Sequence, residues 1–456
     1  MDIQKSVEKQ RLYFQSKQTY DLDHRITFLK KLKKNIQFYE KELMQALYLD
    51  LGKSETESYM CEIGMTLSEL SYQIKHLKTW ARTRIHPGNL PNFPSTSYTV
   101  KEPYGVVLVM APWNYPFMLS MEPMIGAIAA GNCCVIKPSA YAPATASVIG
   151  KIIEKTFPPE YVMVVQGGRE ENTALLNTRF DYIFFTGGVS VGNLVLEKAA
   201  QNLAPVTLEL GGKSPCIVTP SANLRLAAAR IAFGKYLNCG QTCVAPDYVL
   251  VHKSVKKEFI DCLRQQIFSM YGIEPLKNPD YGKIINKKHF QRIQSLIDPE
   301  KVIFGGHYDT EKRQIEPTVL DNVTENEPVM QEEIFGPVLP VLTYEYIQDA
   351  VTFIEKREKP LALYLFTNDK KEERYFRKYV SFGGGCINDT IIHLASSKDG
   401  FGGVGYSGMG SYHGKHSFDT FSHEKTFVKK HQWIDLKMRY QPYDKIKDKL
   451  IRWFLN

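Results

Sequence analysis

Apolar residues recur every three to four positions through the first part of the chain. Ile26, Leu29, Leu32 and Ile36 fall on one helical face, while Lys30, Lys31, Lys33 and Lys34 fill the other. That lysine run reads as a solvated helix face. The helical pattern extends from Met1 to about Arg84, and Ser54 with Glu57 is spaced for a capping box on a helix reaching Trp80. The stretch from Pro87 to Pro94 is too rich in proline and glycine for regular structure. It leads into an alternating segment, Tyr98 to Pro103, expected to project from the body and pair with another subunit.

From Gly105 the rhythm changes to apolar runs alternating with helical segments. Val106-Val107-Leu108-Val109-Met110 reads as a buried strand, followed by a helix over Met118 to Ala130 that Gly131 ends. Further strands are predicted at Cys133 to Ile136, Val162 to Val165 and Tyr182 to Phe185, with helices over Ala144 to Thr156 and about Ser190 to Ala200. Such alternation implies a parallel sheet covered by helices, whose ligands bind beyond the carboxyl ends of the strands. The polar punctuation falls there, at Trp113-Asn114, Lys137-Pro138-Ser139, Gln166-Gly167-Gly168 and Thr186-Gly187-Gly188. A second alternating region begins after Gly211-Gly212, where the domain boundary is placed.

Composition changes this picture little. The chain has 456 residues, 43% hydrophobic and 23% charged, and is long enough for two or three domains. It holds no run of about 18 apolar residues and no signal-peptide pattern at Met1 to Lys9, so a cytoplasmic protein is expected. The eight cysteines form no C-x-x-C pair, which argues against a disulfide scaffold and a metal site. A net charge of +8 is mildly basic, but no nucleic-acid recognition motif accompanies it. Beyond Phe421 basic residues gather, and Ile446, Leu450, Trp453 and Phe454 recur at helical spacing. This segment is expected to dock on its own protein or on a partner; peripheral contact with a membrane is the alternative.

Candidate chemistry centres on Asn238-Cys239-Gly240-Gln241-Thr242-Cys243, between a helical run and a strand. A thiol on such a connection is a candidate nucleophile, though an isolated cysteine is more often inert core. Glu209, ending an apolar strand beside Gly211-Gly212, is a candidate general base or a paired structural carboxylate. Asn114 is a candidate oxyanion donor or a turn cap. Thr186-Gly187-Gly188 and Gly192, between a strand and a helix, suit a pyrophosphate or a plain tight turn. Trp113, Tyr115, Phe233, Tyr236 and Tyr412 suit an apolar tunnel or the core.

The ordered set of Pro112-Trp113-Asn114, Lys137-Pro138-Ser139, Phe185-Thr186-Gly187, Glu209-Leu210-Gly211-Gly212-Lys213, Gly240-Gln241-Thr242-Cys243 and Glu333-Ile334-Phe335-Gly336-Pro337 resembles the aldehyde dehydrogenase superfamily over the whole chain. The surroundings of Cys243 and the segment Ser407 to Lys415 are similar to its class 3 branch. The resemblance implies an α/β fold with three parts. They are a Rossmann-like cofactor domain (1–84 and 104–210), an α/β catalytic domain (211–417) and a small β oligomerisation arm with a C-terminal tail (85–103 and 418–456). It further implies oxidation of an aldehyde with NAD or NADP, a homodimer, and roles for named residues. Cys243 would be the nucleophile, Glu209 the base for hydrolysis, and Asn114 with the Cys243 N–H the oxyanion site. Lys137 would face the adenosine ribose, Thr186, Gly187, Gly188 and Gly192 the pyrophosphate, Glu333 the nicotinamide ribose and Phe335 the nicotinamide. Where many NAD-preferring relatives carry a ribose-binding Glu, this chain has Ala140, so NADP is expected to be tolerated. A CoA-acylating enzyme or an inactive cofactor-binding protein are the competing readings. The retained Glu209 speaks against the first, the intact Cys243, Glu209 and Asn114 against the second.

Overall fold

A computed structural model describes residues 2–88 and 92–455. Its first unit is a six-stranded sheet in the order Gly408–Met409, Val206–Glu209, Tyr182–Thr186, Val106–Met110, Cys133–Lys137, Val162–Val164. All pairings are parallel except that of Gly408–Met409 with Val206–Glu209. Val106–Met110 and Cys133–Lys137 are buried at every residue, which is why each reads as an unbroken apolar run. The strand order reverses beside Val106–Met110. The crevice beyond the carboxyl ends of this strand and of Tyr182–Thr186 is therefore the topological switch point, where open α/β sheets bind ligands. Asn114 and Gly187 follow directly from those two strands.

The second unit is a seven-stranded sheet in the order Val302–Phe304, Thr318–Leu320, Val338–Tyr344, Tyr248–His252, Pro215–Val218, Ala362–Phe366, Gly384–Ile387. Only Val302–Phe304 runs antiparallel within it. Cys243 precedes Tyr248–His252, Glu333 precedes Val338–Tyr344, and Gly211-Gly212 precedes Pro215–Val218. These three connections share the amino edge of the sheet, because the strands they enter run side by side. The site thus forms where the carboxyl edge of one sheet faces the amino edge of the other.

A third, antiparallel sheet joins Arg84–Pro87, Ser95–Pro103 and Ser422–Lys430. The helical pattern accordingly stops at Trp80, and the arm holds more strand than the alternating segment from Tyr98 suggests. Of the Pro- and Gly-rich stretch, residues 89–91 lie outside the described residues. Residues 408–417, grouped with the second unit by sequence, and 418–420, grouped with the arm, instead return to the first. Gly408–Met409 extends its sheet, and helix Gly414–Thr420 packs on helices Gly64–Trp80 and Met118–Ala130.

The amino-terminal helices cover the first sheet. Helix Leu22–Phe38 buries Ile26, Leu29, Leu32 and Ile36, as their spacing demands. The capping box at Ser54 is half formed: Ser54 Oγ accepts the Glu57 N–H, but the Glu57 carboxylate turns away to Asn238. The carboxy-terminal helix Lys445–Leu455 packs on the short turn Lys437–Arg439 and has no fully buried residue. Ile446, Leu450 and Trp453, spaced along one face, are 73%, 42% and 69% exposed. None of the described helices is long and apolar enough to cross a membrane. Leu32→Ala removes a fully buried side chain from the interface of helix Leu22–Phe38 with the core. It should destabilise the fold by about 2–5 kcal/mol, read as a lowered urea midpoint with the slope unchanged.

Candidate active site

The loop that carries Cys243 is wound against the usual hand. Asn238, Cys239 and Gly240 have φ of 51°, 52° and 72°, three left-handed residues in succession. Only glycine fits the third: a Cβ there would lie 2.2 Å from the Gly336 carbonyl oxygen, so the Cys243 loop rests directly on the loop that follows Glu333. The strained turn is held by hydrogen bonds from most of its polar groups, Asn238 Oδ1 excepted. Asn238 N donates to Glu57 Oε1 at 2.9 Å, and Asn238 Nδ2 donates to the Asn114 carbonyl at 2.9 Å. Gln241 Nε2 reaches the carbonyls of Asn238 and Lys283, and Gln241 Oε1 accepts from Ile285 N. Thr242 Oγ1 meets the Tyr115 hydroxyl at 2.6 Å. Cys239 is buried and belongs to this framework. Lys213 pins the opposite wall by pairing with Asp247 and donating to the Val329 and Glu332 carbonyls. Asp247 in turn accepts from Ile334 N at 2.9 Å.

Two cavities meet at Cys243. The larger, about 530 Å³, is walled by Trp113, Asn114, Thr186 to Ser190, Glu209, Glu333 and Phe335. The smaller, about 200 Å³, is apolar and is walled by Tyr115, Phe233, Ile391, Leu394 and others. Cys243, Leu119, Phe401 and Tyr412 line both. At the far end of the tunnel Met60 and Ile392 are 44% and 54% exposed and form an apolar mouth.

Most residues singled out from sequence come together here, and four do not line the cavity considered for them. Trp113 is not a tunnel residue: it walls the larger cavity, edge-on to Phe335 with ring centroids 5.3 Å apart. Gly192 is one turn into helix Val189–Ala200 and off the cavity wall. A Cβ there would come within 2.8 Å of Leu210, so it lets the helix approach the Glu209 strand. Lys137 is buried beside the carboxyl edge of the first sheet, where Nζ donates to the Pro138 and Gly167 carbonyls. Tyr236 is core, its hydroxyl bonded to the Thr318 carbonyl. The sequence reading missed Phe401, Ile391, Leu394, Leu119, His289 and Arg292. Leu119 opens the buried helix Met118–Ala130, and the others lie on loops or short helices distant in the chain, with no local motif to mark them.

Burial sets the electrostatics. The Cys243 thiol is pushed up to about 12, first by loss of water and then by the negative fields of Glu333 and Glu209. The backbone N–H groups of Cys243 and Val244 oppose this only in part. Burial holds Glu209 well above the usual carboxyl range, and neither of its oxygens has a hydrogen-bond partner. Glu333 is pushed up to about 8 by burial and then by the charge of Asp247. Glu57 rises to about 7 through burial, against the field of Lys53. An unpaired buried carboxyl is costly, so Glu209 is held for what it does rather than for the fold.

A dinucleotide fits the larger cavity on the residues present. The start of helix Val189–Ala200 opens into it after Gly187-Gly188, with no acidic residue in its first turn. Its free N–H groups and positive dipole end suit a pyrophosphate, and the buried Thr186 hydroxyl lacks any partner.

These features place the chain among two-sheet α/β enzymes with a Rossmann-type unit. The model of the aldehyde dehydrogenase family matches residues 1–427. The 4,4'-diaponeurosporen-aldehyde dehydrogenase of Staphylococcus aureus is 50% identical over 97% of this chain and 96% of its own length. The dimeric NADP-preferring aldehyde dehydrogenase of Rattus norvegicus is 44% identical over 94% of each chain. Among solved structures, the substrate-bound state of Staphylococcus aureus AldH superposes with a TM-score of 0.98 at 49% identity, covering 100% of this chain and 99% of that one. The chain belongs to the aldehyde dehydrogenase family. It is an enzyme that oxidises aldehydes, and members of its family use NAD or NADP.

In the ligand-free enzyme the high thiol pKa makes alkylation of Cys243 by iodoacetamide strongly pH-dependent. Far below its pKa the thiolate fraction rises about tenfold per pH unit, so the rate should climb log-linearly from pH 7 to about 10. A plateau near neutral pH, followed by mass spectrometry of the Cys243 peptide, would contradict the desolvated thiol.

Proposed function

We propose that this enzyme oxidises apolar aldehydes to carboxylic acids with NAD or NADP, through a thiohemiacetal and then a thioester on Cys243. The observation that carries this reading is the meeting of the two cavities at that one sulfur. An aldehyde lying in the apolar tunnel has its carbonyl carbon at Cys243, with the polar cavity on the other side. Cys243, as thiolate, attacks that carbon. One N–H of the Asn114 amide is engaged by the Gln241 carbonyl at 3.0 Å, which leaves the other for the developing oxyanion, together with the Cys243 backbone N–H. A bound oxidised nicotinamide would supply the acceptor for the hydride lost from the former carbonyl carbon. Glu209 then takes a proton from the water that cleaves the thioester. Its burial makes the carboxylate a stronger base than a solvated one. Thr186, Gly187, Gly188 and the following helix would hold the pyrophosphate, Glu333 the nicotinamide ribose, and Phe335 with Trp113 the nicotinamide ring. Lys137 would serve the adenosine ribose by exchanging a carbonyl for a hydroxyl. Without a carboxylate at Ala140 to repel a 2′-phosphate, NADP is accepted beside NAD.

The tunnel favours aliphatic, polyene or aromatic aldehydes. At about 200 Å³ it holds a segment of a long chain, whose remainder passes out over Met60 and Ile392. The Staphylococcus aureus relative, whose name gives a polyene aldehyde, supports this class of substrate. Initial rates at the reduced-nicotinamide band test the reading, with each aldehyde class paired separately with NAD and NADP. Cys243→Ser should abolish turnover, and Asn114→Ala or Glu209→Gln should lower kcat by about 10²–10³-fold. Glu209→Gln should also raise Tm at pH 8. The folded-state pKa of Glu209 is raised, so its stability contribution falls as pH climbs above the unfolded value, and glutamine removes that loss. Turnover persisting in Cys243→Ser would refute the nucleophile.

We further propose a homodimer built through the arm, whose strand Ser422–Lys430 pairs on one side only among the described residues, and peripheral contact with anionic membrane. From Lys425 onward nine lysines and arginines stand against three aspartates, so this segment carries most of the net +8. The exposed stripe of Ile446, Leu450 and Trp453 runs beside Lys445, Lys449 and Arg452, a pattern that suits an anionic interface. The protein should co-sediment with vesicles containing phosphatidylglycerol, less so in high salt, and not with phosphatidylcholine alone. Trp453→Ala with Leu450→Asp should abolish that binding without changing kcat on a short soluble aldehyde. Binding indifferent to these substitutions would exclude the helix as the contact.

A further inference from the structure

Lys53 and Glu62 form an ion pair of 2.6 Å whose side chains have no exposure, and neither lines a cavity. Replacing a buried ion pair by uncharged side chains is often neutral or stabilising, so stability alone is a weak reason for one here. Its connections point elsewhere. Lys53 Nζ donates to the Asn114 carbonyl at 2.9 Å and lies 4.0 Å from the centroid of the Tyr115 ring. The other oxygen of Glu62 accepts the N–H groups of Phe117 and Met118 at 2.8 and 3.2 Å, where helix Met118–Ala130 begins. The pair therefore grips the segment from Asn114 to Met118 at both ends. The same Asn114 carbonyl receives Asn238 Nδ2 from the strained turn, and the Asn114 amide returns a hydrogen bond to Gln241.

We propose that Lys53, supported by Glu62, is a positioning residue for the oxyanion site, fixing the Asn114 backbone so that its amide faces the aldehyde oxygen on Cys243. This rests on the role proposed above for Asn114. The ammonium also neutralises the negative side of the pair, which keeps the Asn114 carbonyl in a charge-assisted bond that a neutral donor would hold less firmly. Small displacements suffice to matter: a misplacement of about 1 Å can cost on the order of 10²-fold in rate.

The test is Lys53→Met combined with Glu62→Gln, which leaves no unpaired buried charge and keeps an acceptor for Phe117 and Met118. Near-UV circular dichroism and the urea midpoint establish its fold. In the wild-type background kcat should fall about 10–100-fold, with aldehyde KM and cofactor Kd within about twofold. In an Asn114→Ala background the same change should cost less than about threefold, because the group it positions is gone. Lys53→Arg, a longer donor that keeps the charge, should give an intermediate loss that also vanishes in that background, and it carries the test if the double variant folds poorly. Equal losses in both backgrounds, or full kcat in a folded double variant, would overturn the proposal. Full activity in Asn114→Ala alone would instead overturn the oxyanion reading beneath it.

Discussion

Removal of water is the constraint on which this active site depends. Cys243, Glu209 and Glu333 are gathered in a cavity where none of them ionises easily, and the thiol is pushed up to about 12 by burial. Such an arrangement gives up stability, since the two Glu209 oxygens lack any partner in the protein. In exchange, each hydrogen bond or charge that a bound molecule brings acts in a medium that screens it little. The turn that carries Cys243 is heavily hydrogen-bonded, with Asn238 Oδ1 left without a partner. Those bonds hold three left-handed residues in a row beside an uncompensated acid.

The two sheets supply that dryness by meeting edge to edge rather than face to face. The first offers the ends of Val106–Met110 and Tyr182–Thr186, where the strand order reverses; the second offers the approaches to three neighbouring strands. The Cys243 sulfur sits where a polar and an apolar cavity join.

Much of the first unit was legible in the sequence for a physical reason. A parallel strand buried on both faces, such as Cys133–Lys137, cannot alternate, and the glycine after Ala130 adopts the left-handed turn that ends its helix. Gly384–Ile387 and Gly408–Met409 escaped notice because they carry little apolar side chain and owe their strand form to neighbours. Helices Lys287–Gln294 and Lys370–Tyr379 each bury only one or two residues, which leaves little apolar pattern to mark them. The ordered motifs marked the polar half of the site, whereas the tunnel was marked only at Tyr115, Phe233 and Tyr412. Trp113 shows the limit: sequence names the loop, but which way a ring faces is decided by His289 and Phe335, far along the chain.

The return of Gly408–Met409 to the first sheet has a consequence for the chain as a polymer. Backbone passes from the first unit to the second after Glu209 and comes back before residue 408 to cover the strand that carries Glu209. A fragment ending near residue 210 would leave that strand as a bare sheet edge, an invitation to pair with another molecule. The first unit therefore cannot be completed during synthesis until nearly the whole second unit has emerged, and the strand that carries Glu209 is among the last to be covered.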